Sequence, residues 1–65
     1  MNLMAGLLEE LNRNRELLTV YKEIGPAGMF GAAMITQDIE AAEKAIGSGD
    51  VVEMIVHYEK LKDNE

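Results

Sequence analysis

The sequence predicts an all-α fold, a small domain of three helices, and three observations carry that prediction. Apolar residues recur at steps of three and four in three separate stretches. Glycine-bearing breaks follow Ile24 and Ile46. At 65 residues the chain has room for one domain only, spanning 1–65. The expected helices cover 3–24, 31–47 and 50–62, the first lying against a hairpin of the other two.

In the first stretch Met4, Leu7, Leu11, Asn14, Leu18 and Tyr21 follow heptad spacing. Leu8, Leu17 and Ile24 widen the stripe, enough for two neighbours. Asn14 is polar on this apolar seam, either a register-setting residue or a solvated notch. Glu9 and Arg13 stand in i,i+4 relation on the outer face.

The segment Ile24-Gly25-Pro26-Ala27-Gly28-Met29-Phe30-Gly31 joins the first helix to the second and holds the only proline and the only phenylalanine. Gly25 can close a helix at positive φ, and Pro26 suits a first helical turn. Two roles are open to this joint. As a corner, it would plug the core with Met29 and Phe30. As a contact loop, it would let a partner approach the bare backbone at Gly28 and Gly31. Gly28→Gln would then keep the fold and lose binding.

Ile35, Ile39, Ala42 and Ile46 form the buried stripe of the second helix, with Ala32, Ala33, Ala41 and Ala45 beside it. Asp38 is expected near its positive end. Gly47-Ser48-Gly49 stops it, and Asp50 with Glu53 makes a capping box for the third. Val51, Met54, Ile55, Tyr58 and Leu61 are expected to face inward. Val52 and Val56 lie off that face. Lys60 and Lys62 suit the last turn, and 63–65 reads as a frayed tail.

A chain this short buries only about 60% of its unfolded surface, so it needs help from a disulfide, a metal or a second subunit. Cysteine is absent and His57 is the only histidine. Self-association remains, and a homo-oligomer, most simply a dimer, is expected through Met4, Leu7, Leu11 and Leu18. Leu11→Glu would then dissociate it. A net charge of −6 disfavours nucleic acid. No apolar run is long enough to span a bilayer, and the N-terminus lacks the pattern of a signal peptide, so a cytoplasmic protein is expected.

No catalytic motif is present, and neither catalytic residues, a metal site nor a cofactor is expected. Ser48, Asp50 and His57 can be written as a triad, but turn and cap roles account for the first two. Arg13, Arg15 and Lys22 on the first helix, together with the free backbone N–H groups at the start of the second, could bind a small anion.

Residues 41–62, with A-x-x-A-I-x-x-G-D before Y-E-K-L, look like the junction inside a tetratricopeptide unit, read as a generic antiparallel helix pair. The stretch I-G-P-A-G-M-F-G-A-A-M-I-T-Q-D-I-E-A-A-E-K-A-I-G-S-G-D-V-V-E-M-I-V-H-Y-E-K-L-K resembles small helical proteins encoded by phages and prophages of Gram-negative bacteria, from Asn12 onward. That resemblance implies a non-enzymatic accessory factor that inhibits a host defence, by capping a host protein or sequestering a small nucleotide. A structural or assembly protein, or a small helical regulator, is the alternative. The residues expected to make the contact are Gly25, Pro26, Gly28, Met29, Phe30 and Gly31, with Arg13, Arg15 and Lys22.

Overall fold

The computed structural model describes residues 2–65. α1 spans Leu3–Ile24, a 3₁₀ turn spans Pro26–Gly28, α2 spans Met29–Ser48 and α3 spans Val51–Asp63. No strand occurs among the described residues. The three helices pack pairwise into a bundle of 35 × 20 × 16 Å. At 1.5 Å per residue α1 is about 33 Å long and α3 about 20 Å. α3 is shorter than α1, and the tail that follows it continues along α1 as far as Tyr21, whose hydroxyl donates to the Glu65 carbonyl.

Each helix end has a physical cause. The Asn2 side chain accepts from the Ala5 N–H at 2.8 Å and starts α1. Gly25 ends it at φ 88, ψ −147, a region open essentially to glycine alone. Gly49 closes α2 in the left-handed conformation, φ 70, ψ 18. Asp50 Oδ1 accepts from the Glu53 N–H at 3.2 Å to start α3, but the Glu53 carboxylate turns to His57 instead of completing a box. α2 begins at Met29, within the span of starts from Pro26 to Ala32 that the sequence allows, and Asp38 lies at its tenth position, in the middle of the helix.

The core is built from Leu7, Leu11, Ile35, Ile39, Ala42, Ala45, Met54 and Leu61, flanked by half-buried Leu17, Leu18, Tyr21, Ile46 and Tyr58. Leu7 and Leu11 are 0% and 1% exposed within a single chain. The side of α1 expected to make a subunit contact is thus occupied by α2 and α3. Leu18 is half-buried there, and Met4 alone of the four remains on the surface. Val51 and Ile55, expected inside, are exposed with Val52 and Val56. α3 is short and meets its neighbours along the narrow line Met54–Leu61, with Tyr58 beside it.

Asn14 is fully buried, and it ties the helices together. Its Nδ2 donates to the Glu10 carbonyl at 2.8 Å and the Leu61 carbonyl at 3.1 Å. Its Oδ1 accepts from Asn64 Nδ2 at 2.9 Å, and Asn64 also donates to Asp38 on α2 at 3.0 Å. Asn64 is therefore anchored rather than frayed. Arg13 adds bonds to the Leu61 and Asn64 carbonyls at 2.7 and 2.9 Å, capping the C-terminal end of α3. Asn14→Ala leaves buried polar groups without a partner and is expected to destabilise by about 1–3 kcal/mol. A lower urea midpoint with an unchanged m-value would register it.

Candidate functional site

The glycines of the joint are used inside the chain. A Cβ on Gly28 would collide with the Tyr21 carbonyl oxygen, so this buried glycine lets the 3₁₀ turn sit directly on the end of α1. A Cβ on Gly31 would strike the Tyr21 ring at Cδ2 and Cε2, and the Tyr21 hydroxyl donates to the Glu65 carbonyl. The surface that approaches the bare backbone is Tyr21. The expectation that Gly28→Gln would still fold is corrected accordingly. Gly25 has open space around its Cβ position and serves the turn through its φ alone. Pro26 opens the 3₁₀ turn as expected.

Met29 and Phe30 do not plug the core. They are 56% and 81% exposed. Because α2 starts at Met29, Phe30 lies five residues before the buried Ile35, about 140° round the helix from it at 100° per residue. Ile24, Val20 and Met34 are exposed in the same part of the molecule. On α1, Leu17, Val20, Tyr21 and Ile24 form an i, i+3, i+4, i+7 ridge. On α2, Phe30, Gly31 and Met34 form a matching one, and the two ridges meet where Tyr21 covers Gly31. Beside that contact is a cleft of about 160 Å³ bounded by Tyr21, Gly31, Met34 and the segment 63–65. From Ile24 through Gln37 the chain carries no charged residue.

The expected anion constellation is not assembled. Arg13 is engaged by α3 carbonyls and by Glu10 at 2.8 Å, the partner in place of Glu9. Arg15 faces α2 and pairs with Glu43 at 2.9 Å. Lys22 is exposed on the same helix. The two arginines therefore point to opposite flanks of α1, and neither converges on the start of α2.

A second cavity, of about 390 Å³, lies between α2 and α3, and it gathers Lys44, Ser48, Asp50, Glu53 and His57. Ser48 Oγ donates to the Ala45 carbonyl at 3.1 Å, and Asp50 caps α3. The carboxylate beside His57 is Glu53, at 3.3 Å, and His57 Nδ1 is buried without a partner. Ser48, Asp50 and His57 are thus each held by a neighbour outside the triad they could be written as. Among the described residues no group of three or more histidine, cysteine or acidic side chains is placed to hold a metal ion. No helix of the described residues is long and apolar enough to cross a membrane.

Of the two roles left open for the joint, it is the plugging of the core by Met29 and Phe30 that their exposure removes. Tyr21, at a heptad position of α1, covers the Gly31 backbone. Comparison with protein-family models, curated proteins and solved structures finds no match.

Proposed function

We propose that this chain is a non-enzymatic binding protein of phage type, acting in the host cytoplasm, which inhibits a host defence component by capping a protein surface with its joint. The observation that carries this reading is Phe30, 81% exposed beside exposed Met29, with no role in the chain's own core. A large aromatic ring on an uncharged, rigid corner is the kind of residue that anchors a protein interface. Helix on one side and the Gly28–Tyr21 contact on the other hold the joint in place, so little ordering entropy opposes binding. Capping is preferred to nucleotide sequestration because Arg13 and Arg15 are occupied by carbonyls and by carboxylates.

The test uses bacteria that carry defence systems and are infected by a susceptible phage. Expression of the wild-type chain is expected to restore plaque formation, while Phe30→Asp at equal soluble level is expected to lower it at least tenfold. Since Phe30 makes no core contact, the variant should keep its helical circular dichroism. Equal protection by both proteins would remove the joint from the mechanism. Thermal stabilisation by a cyclic or linear nucleotide would favour sequestration instead.

A further inference from the structure

We infer that the cleft beside Tyr21 receives an arginine side chain of the protein that the joint caps. This rests on the capping reading and names the chemistry of its partner.

The argument begins at the end of α3. Lys60 and Lys62 stand in its last turn, where the partial negative charge of a helix end favours cations. Asp63 is the last residue of that helix, and Glu65 follows two positions on. The helix dipole opposes carboxylates there, so neither is placed for the stability of α3. Among the described residues neither has an ion-pair partner. Lys62, their nearest cation in sequence, is turned over the Tyr58 ring, 5.2 Å from its centroid. A third carboxylate, Asp38, is joined to this group by Asn64, which donates to it at 3.0 Å. An amide donor leaves that negative charge uncompensated.

Asp63 and Glu65 border the cleft of about 160 Å³, whose facing walls are Tyr21, Gly31, Met34 and Ile35. One side is aromatic and apolar, the other acidic, and no basic residue borders it among the described residues. Pockets that enclose a whole small molecule run to roughly 300–1,000 Å³, so this one is sized for a single side chain. Its acidic border repels a nucleotide phosphate. An arginine matches both sides. Its methylene stem lies along apolar surface, while its planar guanidinium stacks on an aromatic ring and offers paired donors to a carboxylate. A lysine ammonium is more strongly hydrated and has no plane to stack.

Charge favours the same occupant. The chain carries −6, which draws a basic partner surface toward it and repels a second copy. The cleft shares Met34 with the Phe30 ridge, and Phe30 lies four residues earlier on α2, about 6 Å along the helix. A partner that offers Phe30 an apolar pocket can therefore set an arginine beside it.

The test uses the purified chain with n-butylguanidinium as the probe, at physiological salt. Titration is expected to shift the Met34 methyl and the Gly31 amide saturably, with half-saturation on the order of 10 mM, while the Met54 methyl in the core stays in place. Butylammonium is expected to bind at least about threefold more weakly, and uncharged butylurea about tenfold. Asp63→Asn combined with Glu65→Gln is expected to weaken the guanidinium at least about fivefold. Helical circular dichroism should not change, because the Glu65 carbonyl that Tyr21 uses is retained. Glu40→Gln combined with Glu59→Gln removes as much charge from exposed sites elsewhere, and is expected to leave binding within about twofold. The absence of a saturable shift by about 100 mM overturns the inference. So does equal binding of butylammonium, or an equal loss in the Glu40→Gln, Glu59→Gln control. No host protein is present, so failure of the cleft and failure of the capping role are read in separate experiments.

Discussion

Leu11→Glu is expected to unfold the chain, with loss of most helical circular dichroism at 25 °C. Leu11 is 1% exposed in a core shared by all three helices, so no rotation of the side chain brings a carboxylate to water. Burying an unpaired charge costs several kcal/mol, and the lost leucine packing adds about 2–5 kcal/mol. The whole chain, at its length, has roughly 3–10 kcal/mol of stability to lose. A variant that remained helical and changed only its oligomeric state would restore the subunit-contact role that the heptad spacing predicts for this side of α1. Leu7→Glu should behave in the same way, whereas Met4, already on the surface, should tolerate charge.

Gly28→Ala is the second large effect. The added methyl meets the Tyr21 carbonyl oxygen and then the Ile24 Cβ at 3.1 Å. Backbone atoms inside a helix cannot move aside as a side chain can, so the 3₁₀ turn must lift from the end of α1. Overpacking of this kind typically costs about 1–3 kcal/mol, and the backbone obstruction places Gly28→Ala at the upper end. Gly31→Ala meets only the Tyr21 ring, a side chain that can swing outward, and is expected to cost less. Urea denaturation of the two variants checks the order. A Gly28→Ala midpoint at or above that of Gly31→Ala would show that the turn is free to relax, and would reopen the contact-loop role for Gly28.

Much of this fold is legible in the residues themselves. The heptad steps from Leu7 to Leu18 place α1, and Ile35, Ile39 and Ala42 place the buried side of α2. Gly49 and Asp50 mark the turn into α3 because each acts locally, Gly49 as the left-handed residue that ends one helix and Asp50 as the carboxylate that starts the next. Local roles of that kind are settled by a few adjacent residues, so the sequence states them directly.

The joint could not be read that way. Whether Phe30 turns inward depends on whether it already belongs to α2, because only a helical backbone fixes it about 140° round from the buried Ile35. The start of α2 is set by Gly28 resting on the Tyr21 carbonyl, a contact between residues on different elements.

Asn14 teaches the same lesson. Its place on an apolar seam signalled a special role, but its partners Leu61 and Asn64 lie some fifty positions away. The apolar periodicity, the caps and the missing reactive groups were therefore determined by the sequence alone. Which apolar residues face out and which partners engage the two arginines were decided only by packing, because each depends on how the helices lie against one another.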